Sequence, residues 1–129
     1  LIFIDASFFI AASIKKDQWH ARVRKILPEV TEHDKMTSIV VLSEAVTMVG
    51  SLAGGKMGAR LYNYIMDNHE VNFVDKELST QAMNFFLNYD EVLSFADSVS
   101  VQLMKQYEID TIVSFDSDFD KVKGIVRIH

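Results

Sequence analysis

The chain has no cysteine, a single proline (Pro28) and only five glycines among its 129 residues. Without thiols there are neither disulfide staples nor thiolate metal sites, and the expected location is the cytoplasm. No stretch approaches the roughly 18–20 uninterrupted apolar residues of a membrane span. No basic start, apolar core and small-residue cleavage site marks a secretory signal. Repeats, low-complexity tracts and linkers are absent too. What remains is ordinary globular composition, 49% hydrophobic and 24% charged. The expectation is one domain over residues 1–129 with a single sizeable core.

Positive charge is also scarce. A net charge of −5 argues against a protein that grips nucleic acid through bulk electrostatics. The balance is uneven, however: residues 1–65 hold eight Lys/Arg against six Asp/Glu, and residues 66–129 hold five against twelve. Lys15, Lys16, Arg22, Arg24 and Lys25 form a basic cluster. It reads either as a solvated helix face or as a local phosphate-contacting patch.

The apolar run LIFI (1–4) suits a strand buried on both faces, and ASFFIAAS after Asp5 suits a short helix. A helix is expected over 17–33, with Asp17 as N-cap and Pro28 as a kink or break. TSIVVL (37–42) reads as a second strand merging into a helix over 43–53. Gly54 and Gly55 punctuate the chain before a helix over 56–68. VNFV (71–74) reads as the third strand, 78–88 and 95–107 as helices, DTIVSF (110–115) as the fourth strand and GIVRI (124–128) as the fifth. Strands alternating with helices predict an α/β fold with a mostly parallel sheet. Ligands in such folds bind beyond the carboxyl ends of strands, near a topological switch point. Asp5 and Asp116 each follow an apolar strand.

Each carboxylate has a structural reading beside the functional one. Asp5 suffices as an N-cap. Glu44 falls at the border of an apolar arc and reads as a surface glutamate. Ser94 and Asp97 have the spacing of a capping box, yet the helical wheel sets Asp97 between Val101 and Met104 on the core side. A carboxylate there is costly unless it is paired, hydrogen-bonded or bound to a cation. Asp116, Asp118 and Asp120 alternate in DSDFD and read as ligands, caps or a solvated turn. Carboxylates converging on one pocket raise each other's pKa, and a hard divalent cation relieves this through oxygen ligands. Zinc does not suit: there is no cysteine, and His20, His33, His69 and His129 lack ligand spacing. An EF-hand loop is excluded because Lys121 and Arg127 stand where it needs Gly and Glu. The strand-D-x-D nucleophile motif of haloacid-dehalogenase-type phosphatases normally opens a catalytic domain, whereas only nine residues follow Asp120 here.

Four segments in order, LIFIDAS, TSIVVLSEA, LSFADS and TIVSFDSDFDKVKGI, resemble a PIN domain of the VapC toxin–antitoxin type over essentially the whole chain. Ser98 and Ser114 stand where that family more often has Ala and Thr. The resemblance implies an α/β/α sandwich with a five-stranded sheet in the order 3-2-1-4-5. It implies an acidic site of Asp5, Glu44, Asp97 and Asp116 holding Mg²⁺ or Mn²⁺, with Asp118 as an auxiliary ligand. It further implies a metal-dependent endoribonuclease acting on single-stranded or structured RNA, a homodimer and a small antitoxin partner. The alternatives are a PIN scaffold that binds RNA or protein with little nuclease activity, and an RNA-processing PIN nuclease that is not a toxin.

Overall fold

The structure, a computed structural model, describes residues 1–89 and 92–129. Five strands, β1 (Ile2–Ile4), β2 (Lys35–Ser38), β3 (Glu70–Asn72), β4 (Thr111–Val113) and β5 (Val126–Ile128), form one sheet in the order β3-β2-β1-β4-β5. Every pairing is parallel. Six helices connect or flank them: α1 (Ala6–Ser13), α2 (His20–Thr31), α3 (Ile39–Ala53), α4 (Gly55–Asn68), α5 (Lys76–Asn88) and α6 (Phe95–Gln106). A 3₁₀ turn spans Ser117–Lys121.

β1 is central, and its three residues are all buried, as expected for a strand covered by helices on both faces. Phe3 lies between Met36 of β2 and Ile112 of β4, and all three are inaccessible to solvent. The chain winds from β1 outward to β2 and β3, then returns to the other side of β1 to lay down β4 and β5. The order therefore reverses between β1 and β4, and a crevice opens beyond their carboxyl ends.

The strand expected over 37–42 is instead Lys35–Ser38, and the β-branched residues Ile39, Val40 and Val41 begin α3. The Ser38 hydroxyl accepts a hydrogen bond from the Val41 amide at 3.1 Å. That cap, with burial of Val41 and Leu42, outweighs a helix-propensity penalty of about 0.5 kcal/mol per β-branched residue. α2 begins at His20, three residues after the expected cap. Asp17 closes a preceding turn, its Oδ1 accepting from the Trp19 amide at 2.8 Å. Pro28 lies inside α2, which continues to Thr31. α3 and α4 pack closely: a Cβ on Gly58 would come within 3.2 Å of the Val46 carbonyl oxygen. Gly54, at φ +96°, makes the turn between them.

Candidate active site

Asp5 sits at the end of β1 in the N-cap position of α1, but its side chain makes no capping bond. Only 6% of the residue is exposed. Its Oδ2 accepts from the Ser114 hydroxyl at 2.7 Å and from the Ser7 hydroxyl at 2.9 Å. Both serines have spent their single protons on Asp5, so each accepts elsewhere. Ser7 Oγ receives the Phe115 amide and Ser114 Oγ the Asp116 amide, both at 3.0 Å. Three residues at the end of β4 are thereby keyed to the carboxylate that ends β1. Burial raises the Asp5 pKa above its ordinary value, while the two hydroxyls pull it back.

The DSDFD run has three environments. Asp116 caps the 3₁₀ turn, its Oδ1 accepting from the Asp118 amide at 2.9 Å. Asp118 is half-buried and pairs with Lys121 at 3.5 Å. Between the last two acids, Phe119 is fully buried and pins the turn, a burial that contributes about 1.5–3 kcal/mol. Asp120 is exposed, but it is not simply solvated. Arg127 of β5 clasps it through two hydrogen bonds of 2.9 Å, from Nε to Oδ1 and from Nη2 to Oδ2. The same guanidinium donates from Nη1 to the Ser114 carbonyl at 3.1 Å, and its hydrogen bonds lower the Asp120 pKa.

The other two acids ride on helices. The Ser94 hydroxyl caps α6 by accepting from the Asp97 amide at 3.0 Å, so the capping half of the spacing is real. The Asp97 side chain is nonetheless half-buried. Its pKa rises to about 7, first through burial and then through the charges of Asp5 and Asp116, with Glu44 adding a smaller push. Glu44, on α3, is exposed by area as its pattern predicted. Its pKa is also raised, by partial burial and then by Asp5 and Asp116.

These elements meet at one cavity of about 410 Å³, whose lining includes Asp5, Glu44, Asp97, Asp116 and Asp118 together with Ser7, Ser94 and Met48. All five acids singled out from the sequence therefore face one space at the switch point, and Asp120 stands outside it. Neither of the ion pairs among the described residues involves Asp5, Glu44, Asp97 or Asp116. Clustered, partly dehydrated carboxylates without a counter-charge either take up protons or bind a cation. The donors are oxygens only, which fits a hard divalent ion that keeps part of its water shell. Among the described residues no three acidic or histidine side chains stand close enough to hold an ion directly, so binding would draw them inward or work through bridging water. The sequence reading gave no site role to two contributors: Ser114, whose signals are its place between an apolar strand and Asp116 and at a position where the resembled family more often has Thr, and Arg127, a lone cation in the last apolar strand.

Comparison with known proteins follows the same lines. No curated protein matches the chain significantly. The crystal structure of VapC20 from Mycobacterium tuberculosis, a toxin that cleaves the sarcin-ricin loop, is similar with a TM-score of 0.87 and 26% identity, covering 99% of this chain and 98% of that one. Two more distant structures share the fold. VapBC2 from Rickettsia felis, bound to a promoter DNA fragment, has a TM-score of 0.69 at 10% identity and covers 99% of this chain and 98% of that chain. FitAcB from Neisseria gonorrhoeae has a TM-score of 0.67 at 16% identity and covers 100% of this chain and 97% of that chain. The PIN domain model matches residues 2–125, from the first buried strand to the edge of the last, and the chain belongs to the PIN domain family.

Proposed function

We propose that the protein is a divalent-metal-dependent endoribonuclease and the toxin of a VapBC-type pair. The observation that carries this reading is the convergence of Asp5, Glu44, Asp97, Asp116 and Asp118 on one cavity at the switch point of a PIN sheet. Asp5, Asp97, Asp116 and Glu44 would hold Mg²⁺ or Mn²⁺, with Asp118 assisting. When held by these residues, a cation would supply Lewis-acid activation of water and charge compensation at the phosphate. The chain's own residues prepare the place for it. Ser7 and Ser114 fix the Asp5 carboxylate, Phe119 and the Asp116 cap fix the turn, and α3 and α6 bring Glu44 and Asp97 to the opposite wall.

Partner surfaces support the toxin half of the reading. A groove of about 550 Å³ between α1, α2 and α4 is lined by Phe8, Val23, Leu27, Met57 and Leu61 and carries Lys15, Arg24 and Arg60. Its chemistry suits a short amphipathic antitoxin segment with acidic residues beside its apolar face. Met48 and Leu52 of α3 are exposed and form the face that a second copy would cover in a homodimer. No described helix is long and apolar enough to cross a membrane, and the reading places the enzyme with its RNA in the cytoplasm.

Purified protein is tested on single-stranded and structured RNAs with Mn²⁺, and with EDTA as control. Endonucleolytic cuts that vanish in EDTA are the expected result. Binding without cutting of any RNA would favour the scaffold reading.

A further inference from the structure

Outside the acidic cavity, a column of three aromatic rings climbs from the core to the surface. Phe8 is buried, with 6% of its surface exposed. Phe115 packs on it with ring centroids 6.5 Å apart and planes 23° from parallel. Trp19 lies over Phe115 at 5.3 Å and only 4° from parallel. Trp19 is the one tryptophan of the chain and is 40% exposed. One face of its indole is stacked on Phe115, and much of the rest of the residue is open to solvent.

The column is rigid and tied to the site. Its middle rung, Phe115, lies between Ser114 and Asp116, and its amide donates to the Ser7 hydroxyl that holds Asp5. The Trp19 backbone is held by the hydrogen bond its N–H donates to Asp17 Oδ1 at 2.8 Å. The Trp19 carbonyl in turn receives the Val23 amide at 3.0 Å. Basic residues are close to it in the sequence: Lys15, Lys16, Arg22, Arg24 and Lys25 are all exposed, and Asp17, the acid among them, accepts the Trp19 amide.

We propose that Trp19 is a stacking platform for an unpaired base of the RNA strand whose phosphate is presented to the carboxylates. This rests on the ribonuclease reading and adds a positioning residue to it. An acidic cavity repels a phosphate backbone, so RNA needs a hold beside it. A fixed aromatic face with lysines and arginines near it in the sequence supplies one that tolerates any base. Because the platform is already ordered, little side-chain freedom is lost on binding.

The opposing explanation is that Trp19 only covers Phe115, and Trp19→Leu separates the two. Leucine keeps the apolar cover but offers no π face, whereas Trp19→Phe keeps a face. Cleavage of a short single-stranded oligoribonucleotide with Mn²⁺ is expected to show KM raised about tenfold in Trp19→Leu. kcat should change little, and Trp19→Phe should stay near wild type. In EDTA, where nothing is cut, the single indole reports binding directly. The oligoribonucleotide should quench its fluorescence, and a matched abasic backbone should not. Unchanged KM in a folded Trp19→Leu variant, or equal quenching by the abasic strand, would overturn the platform. If Trp19→Leu does not fold, the quenching comparison alone decides. Base-dependent quenching without cleavage of any RNA would sink the nuclease reading and leave the platform standing. Cleavage without quenching would do the reverse.

Discussion

The two walls of the acidic cavity are built differently. On the sheet side, Asp5 and Asp116 end β1 and enter the turn after β4, and both are held by donors. Asp5 accepts two serine hydroxyls and Asp116 accepts the Asp118 amide. On the helix side, among the described residues, Ser94 is the one group that lowers the Asp97 pKa, and none offsets the rise at Glu44. Burial and the sheet-side charges then push both upward. The sheet supplies fixed donors, although burial still raises the Asp5 pKa, while the helix-side acids meet the sheet-side charges with little to offset them. A cation entering the cavity would find fixed ligands on one wall and relieve repulsion on the other.

The largest test separates charge from position at Asp97. Asp97→Asn should abolish Mn²⁺-dependent cleavage, yet it should stabilise the metal-free protein at alkaline pH. Asp97 has its pKa raised from 3.8 to about 7, so between those values the folded state binds the proton that the unfolded state releases. The stability this confers is complete below 3.8 and is lost as pH rises through about 7. Melting in EDTA should therefore show wild-type stability falling across that window, with a flatter profile in the variant. Added Mn²⁺ should restore wild type above pH 7 and leave Asp97→Asn unmoved. A folded Asp97→Asn protein that cuts RNA at the wild-type rate would contradict the assignment.

A smaller loss is expected from the donors of the sheet wall. Ser114→Ala removes the 2.7 Å bond to Asp5 and the acceptor of the Asp116 amide without touching an acid. Groups that orient metal ligands in this way are worth about 10–100-fold in activity. A weaker apparent affinity for Mn²⁺ in a metal titration is the signature to look for. Within the turn, Asp116→Asn should cost far more activity than Asp118→Asn, because Asp116 both faces the cavity and caps the turn, while Asp118 shares its charge with Lys121. Equal losses would erase that distinction.

How much of this was legible beforehand follows the same division. Asp5 and Asp116 were visible because a strand-end acid after a buried apolar run is a local pattern, and Asp97 because its helical wheel put a charge on the core side. Glu44 was visible only through the family resemblance: by pattern its place on α3 is a surface position, and only the approach of α3 to the carboxyl end of β1 gives it meaning. The sheet order came from family resemblance, since periodicity carries no information on which strands become neighbours. The boundary between β2 and α3 was misplaced because Ile39, Val40 and Val41 have strand propensities that one serine cap and tertiary burial override. The bond between Ser114 and Asp5 joins residues 109 positions apart, a separation that no local pattern spans.

Arg127 offers the finest test, because it joins two parts of the sheet wall that sequence kept separate. One guanidinium holds Asp120 at the outer end of the turn and the Ser114 carbonyl at its root. Arg127→Gln loosens both ends of the segment that carries Asp116, and activity should fall by about tenfold. Asp120→Asn alters only the outer pair, in which the carboxylate is exposed while the Arg127 side chain is largely buried, and leaves the bond to Ser114 in place, so it should cost less activity than Arg127→Gln. kcat/KM and melting temperature measured for the two variants together give the comparison. If Asp120→Asn loses as much activity as Arg127→Gln, the fork to Asp120 rather than the bond to Ser114 holds the turn in place. Asp120 would then belong with the positioning residues of the sheet wall despite its exposure.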